Sequence, residues 1–153
     1  MQAEFAREIF VGCKQKGINT CLDTSGCVLS ESVLELLKVT DRVLLDVKYT
    51  EPEKYKNHVG CEYERVLNFL SVLNEMNIKT TLRQVIIPTL NDSEESILRL
   101  KELAKNYTCV DGIELLPFKK ICKVKYEQMN LNFAFDKYET PSKPLMEQLN
   151  KLL

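Results

Sequence analysis

Four short apolar stretches alternate with stretches of helical spacing, and this alternation most constrains what the chain can fold into. "INTCLDTSG", "DRVLLDVKYT", "IKTTLRQVIIP" and "DGIELLPF" read as strands. Between them, "AEFAREIFVGCKQKG" places Phe5, Ile9, Phe10 and Cys13 at helical spacing and stops at Gly17. "SESVLELLKV" follows as a short helix with Ser30 or Ser32 as N-cap. "EYERVLNFLSVLNEMN" lines up Val66, Phe69, Leu70 and Leu73. "NDSEESILRLKELAKNY" opens with an acidic first turn, which suits a helix N-terminus. "EPEKYKNHVG" reads as a polar loop, and a lysine-rich, mostly irregular stretch follows the fourth strand. The last helix, "TPSKPLMEQLNKLL", aligns Leu145, Leu149 and Leu152. Strands alternating with helices predict an α/β fold with a parallel sheet. Two architectures fit: an open doubly wound sheet, or part of a β/α barrel. Both bind ligands at the carboxyl ends of their strands.

The length of 153 residues suits a single domain over 1–153. With 21 basic and 22 acidic residues, the chain has no charge excess to mark it for nucleic acid or an anionic membrane. No apolar run has the length of a membrane span, and no secretory signal is visible. The six cysteines, Cys13, Cys21, Cys27, Cys61, Cys109 and Cys122, include no C-x-x-C pair. They read as reduced thiols packed as small hydrophobes, in a reducing, cytoplasmic compartment.

The second strand ends "VLLDVK", and its two charges need an explanation. Side chains alternate faces along a strand. Leu44, Asp46 and Lys48 therefore share one face, while Val43, Leu45 and Val47 share the other. The same rule groups Cys21, Asp23 and Ser25; Arg83, Val85 and Ile87; and Glu114, Leu116 and Phe118. If these faces line one pocket, its mouth holds Asp23, Asp46, Lys48 and Arg83. Such a set binds a zwitterion, with the cations for a carboxylate and the aspartates for an ammonium or a metal cation. Gln84 does not fit, because the scheme points it at the helix layer. Each of these charges could equally be a solvated or mutually paired strand end. His58 is the only histidine, which argues against a catalytic triad or a histidine metal site. It reads as an exposed loop residue. Lys119, Lys120, Lys123 and Lys125 read as a solvated loop or a docking patch for an acidic group.

Several blocks together carry a family likeness. "QAEFAREIFVGCKQKGINTCLDTSG", "VTDRVLLDVK", "NHVG", "LRQVIIP", "NDSEESI" and "IELLPF" occur in this order. They resemble the radical S-adenosylmethionine (SAM) activases of glycyl-radical enzymes, most closely those serving pyruvate formate-lyase. The resemblance implies a partial parallel β/α barrel, of which this chain would hold four strands. It also implies a [4Fe–4S] cluster, SAM as the source of a 5′-deoxyadenosyl radical, and hydrogen abstraction from a backbone glycine of the partner. A flavodoxin-like electron donor belongs to the same picture. Carried over by position, Asp23, Thr24, Asp46 and the backbone of Leu44 match a monovalent-cation site beside the SAM carboxylate. Lys48 and Arg83 match SAM contacts, and Val85 and Leu116 match the wall around its adenosine. Lys119 stands where better-known members have a histidine that contacts adenine, so that contact is in question.

The family's C-x-x-x-C-x-x-C loop and its "GGEP" segment have no counterpart in the sequence. Cys13, Cys21 and Cys27 lie on a helix, a strand and a turn and do not make a cluster site. The expectation is therefore the C-terminal part of an activase, inactive by itself. Its first strand would be an unprotected edge prone to edge pairing and dimerisation. Two other functions remain open: a non-catalytic SAM- or partner-binding module, and an unrelated small β/α enzyme that binds an anionic metabolite.

Overall fold

A computed structural model describes residues 2–153. Eleven elements follow in the order α1 (Ala3–Gln15), β1 (Cys21–Thr24), α2 (Glu31–Leu37), β2 (Arg42–Asp46), α3 (Pro52–Val59), α4 (Tyr63–Glu75), β3 (Lys79–Ile86), α5 (Glu94–Lys105), β4 (Val110–Pro117), α6 (Lys123–Gln128) and α7 (Lys143–Asn150). The four strands form one parallel sheet in the order β1-β2-β3-β4. This is the expected partial β/α barrel. Among the described residues, no helix is long and apolar enough to cross a membrane.

Burial along the strands shows which face the helices cover. In β2, Val43 and Leu45 are fully buried while Arg42, Leu44 and Asp46 are not. In β3, Thr80, Leu82, Gln84 and Ile86 are buried, and Thr81, Arg83 and Val85 are only partly so. The buried set packs with Phe69, Leu70 and Leu73 of α4 and with Ile97 and Leu100 of α5. A fully buried Leu or Phe contributes about 1.5–3 kcal/mol relative to an exposed one. One face of the sheet thus holds the core, and the other is left for polar groups.

Serine caps start three helices. The Ser30, Ser93 and Ser142 hydroxyls accept from the backbone N–H of Val33, Ser96 and Leu145. Residues 51–60, expected as a polar loop, instead contain α3. Pro52 sits in its first turn with Glu53, and Gly60 closes it with φ +72°. These are favourable start and stop groups, and the fully buried Tyr55 anchors the helix. His58 is therefore exposed on a helix rather than in a loop. The lysine-rich stretch after β4 is mostly irregular but contains the short α6.

Gly26 fixes the turn after β1. Its φ is +67°, and a Cβ there would meet Leu45 Cδ1 at 2.8 Å and Phe69 at 3.4 Å. Only glycine lets this turn lie on the core, and the turn immediately follows Asp23 and Thr24.

Candidate functional site

At the carboxyl ends of β1, β2 and β3 the strand register sets Asp23 beside Leu44 and Asp46 beside Arg83. All point to the face without helices. The Arg83 guanidinium lies between the two carboxylates. Its Nη2 donates to Asp23 Oδ1 and Oδ2 at 2.9 and 2.8 Å. Its Nε and Nη2 donate to Asp46 Oδ1 at 3.1 and 3.0 Å. The Lys48 ammonium, just past β2, donates to Asp46 Oδ2 at 2.5 Å. Both oxygens of Asp46 are thus engaged by cations.

The side chains of Arg83 and Asp46 are 16% and 17% exposed, against 58% for Asp23. Burial works against the Arg83 charge. The hydrogen bond and field of Asp46, joined by Asp23, outweigh it and hold the guanidinium above its ordinary pKa. The set of two acids and two bases balances its own charge, which is what makes it tolerable at a half-buried place. It also keeps donors in reserve. Among the described residues Arg83 Nη1 makes no hydrogen bond. Lys48 uses one of its three protons on Asp46. A ligand carboxylate can take these donors without any existing pair being broken.

Three side chains outside the expected charged set hold these strand ends in place. The Asn91 amide donates to the carbonyls of Lys48 and Val85 at 3.2 and 2.9 Å, and its Oδ1 accepts from Ile87 N–H at 2.7 Å. It is 2% exposed, so this one residue ties the end of β2 to the end of β3. The Tyr55 hydroxyl of α3 donates to the Asp46 carbonyl at 3.4 Å. Gln84, pointed into the helix layer as its place in the alternation requires, donates to the Val47 carbonyl at 3.0 Å. An Asn shortly after a strand-ending proline and a lone Gln in an apolar strand were the available signals.

The remaining candidates divide. Val85 and Leu116 are register partners on the open face, a few residues beyond Arg83. Lys119 is exposed and follows β4. Thr24 alternates to the side opposite Asp23, and its hydroxyl accepts from Gly26 N–H at 3.2 Å. The proposed cation ligands Asp23 and Asp46 do converge, but on Arg83 rather than on an open space. Among the described residues no three His, Cys, Asp or Glu side chains come together to hold a metal ion. No residue of this chain is therefore assigned to an iron–sulfur cluster.

Residues 1–100 match the radical SAM superfamily model. The chain is 39% identical over 155 residues to pyruvate formate-lyase 1-activating enzyme from Escherichia coli (strain K12). That match covers 100% of this chain and 63% of the relative. It is 37% identical to pyruvate formate-lyase-activating enzyme from Clostridium pasteurianum, covering 100% of this chain and 64% of the relative. The chain thus spans just under two thirds of these curated relatives. Among solved structures, a domain of pyruvate-formate lyase-activating enzyme from Bacteroides vulgatus ATCC 8482 superposes with a TM-score of 0.77. Its identity is 23%, over 99% of this chain and 84% of that one. Streptococcus suis SuiB bound to S-adenosylmethionine superposes at 0.72, with 15% identity, over 95% of this chain and 31% of that one. At these identities the superpositions show the shared fold.

Proposed function

The chain belongs to the radical SAM superfamily, and we propose that it is the strand-end SAM-binding part of an activase that installs a glycyl radical on pyruvate formate-lyase. The observation that carries this reading is the Asp23–Arg83–Asp46–Lys48 cluster at the carboxyl ends of three parallel strands. The full-length coverage by activases at 39% and 37% identity supports the same reading. The domain boundary proposed for this unit is the whole chain, 1–153.

Superfamily chemistry rests on SAM and a [4Fe–4S] cluster, and bound SAM supplies the radical that abstracts hydrogen. In this chain Lys48 and Arg83 would hold the SAM carboxylate through their unengaged protons. Val85 and Leu116 would wall the adenosine. Lys119, on the exposed segment after β4, would reach the base only across the pocket rim. A monovalent cation between Asp23 and Asp46 requires the Arg83 guanidinium to leave that place and turn to the ligand carboxylate. Leu44 O would then complete the cation's shell, to which Thr24, whose side chain points the other way, would contribute only through its backbone. The pyruvate formate-lyase partner, a flavodoxin-like donor and an edge-paired dimer through β1 are parts of the same proposal.

The test joins this chain to the N-terminal part of the E. coli relative that it does not span. The joined protein is assayed by electron paramagnetic resonance for the glycyl radical on pyruvate formate-lyase. The proposal expects a radical that disappears with Lys48→Ala. A folded, SAM-binding chimera that forms the radical equally well with Lys48→Ala refutes the assignment.

A further inference from the structure

The six cysteines are not equivalent once the chain has folded. Cys109 is buried, Cys21 is exposed, and Cys13, Cys27, Cys61 and Cys122 are half-buried. Two of the half-buried ones meet. Cys27 follows the Gly26 turn after β1, and Cys61 follows Gly60, which closes α3. The Cys61 thiol lies within hydrogen-bonding reach of the Cys27 thiol. Both side chains pack against the core, and both lie beside the buried Tyr55 of α3.

The backbone on each side of this contact is held. A Cβ on Gly26 would meet Leu45 and Phe69, so the turn that carries Cys27 rests on the core. Across from it, Tyr55 of α3 lies against Tyr63 of α4, with ring centroids 5.3 Å apart. That contact brackets the α3–α4 connection on which Cys61 sits. Neither thiol has a strong partner of its own. Cys27 Sγ donates to the Ser25 carbonyl at 3.8 Å, and Cys61 Sγ donates to the Glu62 carbonyl at 3.5 Å. Thiols are weak donors, so either sulfur can turn to the other at little cost. A disulfide requires two side chains already brought together, because its bond length and dihedral are specific. Packing as small hydrophobes would account for two buried thiols in contact. These two are only half-buried, so a small reagent can reach them.

We propose that Cys27 and Cys61 form a reversible disulfide site that takes a low-molecular-weight disulfide as its oxidant. Cys27 gives up its proton, and its sulfur attacks one sulfur of the reagent. A mixed disulfide forms, and the other half of the reagent leaves as a thiolate that takes up a proton. Cys61 then gives up its proton, and its sulfur attacks the Cys27 sulfur and releases the second half as a thiol. Two protein thiols are oxidised to one disulfide, and one reagent disulfide is reduced to two thiols. Cys27 attacks first because burial, followed by the Cys27 contact, pushes Cys61 up to about 11 and keeps it a thiol at neutral pH. The bond would tie the turn that follows Asp23 and Thr24 to the connection before α4, closing a loop that holds α2, β2 and α3. The site stands apart from the SAM reading of the charged cluster, since it uses none of that cluster's residues.

The reduced 153-residue chain is incubated without oxygen in excess oxidised glutathione. Free thiols are then capped with N-ethylmaleimide, and the peptides are identified by mass spectrometry. Cys27 and Cys61 are expected in one crosslinked peptide pair with neither cap nor glutathione, whatever the other four cysteines carry. The melting temperature should rise with the crosslink and return when dithiothreitol is added. Cys61→Ser should stop at a glutathione adduct on Cys27, and Cys27→Ser should give no crosslink to Cys61. In the parent chain, capped Cys27 and Cys61, a lasting glutathione adduct on Cys27, or a crosslink of either to another cysteine overturns the proposal. So does pairing no more selective than that of the urea-unfolded chain, because the folded contact would then direct nothing.

Discussion

Arg83 Nε and Nη2 both donate to one oxygen of Asp46, at 3.1 and 3.0 Å, and the two side chains are 16% and 17% exposed. The remaining Asp46 oxygen accepts from Lys48. One carboxylate thus bonds two cations, and Asp23 supplies the second negative charge that balances them. Asp46→Ala should leave both without it, at a cost of about 1–3 kcal/mol for charge-assisted bonds at a half-buried site. Asp46→Asn keeps one acceptor and should cost less. Urea denaturation of the two variants checks the order, and equal midpoints for both would contradict it.

Asn91 should matter as much to the site as any charged residue, although it bonds only backbone groups. Its amide satisfies two strand-end carbonyls and one backbone N–H from a position 2% exposed. Asn91→Ala removes all three bonds and is expected to cost about 1–3 kcal/mol, the range for orphaned buried groups. Because Lys48 and Val85 carry the two carbonyls, ligand affinity should fall as well. Amide hydrogen exchange at Ile87 reads the local effect directly, and its protection should drop before that of the β3 centre.

Gly26 carries a different load. Gly26→Ala combines a left-handed φ with a Cβ 2.8 Å from Leu45 Cδ1. The conformation alone costs about 1–2 kcal/mol, and displacement of Leu45 adds to it. Thermal unfolding should show a clear loss, with the turn holding Asp23 and Thr24 disturbed. Gly12→Ala, where no atom lies within 4 Å of the added Cβ, is the matched control and should not destabilise.

Acid sensitivity should come from the far end of the sheet. Arg42 Nη1 and Nη2 donate to the two oxygens of Asp111 at 2.7 and 2.6 Å. The hydrogen bond from Arg42 holds the Asp111 carboxyl below its ordinary value; burial opposes it, and the charges of Arg42 and Lys79 add to the lowering. A carboxyl whose folded pKa lies below its unfolded one stabilises the fold above the unfolded value, roughly 3.9. That contribution is lost as the pH falls through the folded pKa. Asp111→Asn should therefore lower the melting temperature at neutral pH and flatten its decline below about pH 4. A parallel decline in both proteins would contradict the assignment.

Much of this architecture could be read from the residues because it follows from local pattern. The alternation Val43, Leu45, Val47 against Leu44, Asp46, Lys48 gave the covered and open faces of β2 directly. Ser93 and its acidic first turn marked the start of α5. The α3 helix was missed because its sequence is polar on most sides and one buried tyrosine fixes it; Pro52 and Gly60 were the better signals. Gln84 looked like a misfit only because its partner, the Val47 carbonyl, lies just past the end of β2. The aromatic contacts beside the strand ends were beyond any local pattern. Tyr49, His58 and Phe135 meet only once α3 and the stretch after α6 have packed over the sheet.

The central claim is that the strand-end cluster receives the amino-acid end of SAM. Isothermal titration with SAM of the chain joined to the N-terminal part of its E. coli relative tests it most directly, comparing the parent with Lys48→Ala and Arg83→Ala. Loss of a charge-assisted bond is worth roughly 1.5–3 kcal/mol, so each substitution should weaken SAM about ten- to hundredfold. The enthalpy difference should vanish when S-adenosylmethionine is replaced by adenosine, which lacks the carboxylate. Equal SAM affinity in all three folded proteins would contradict the account.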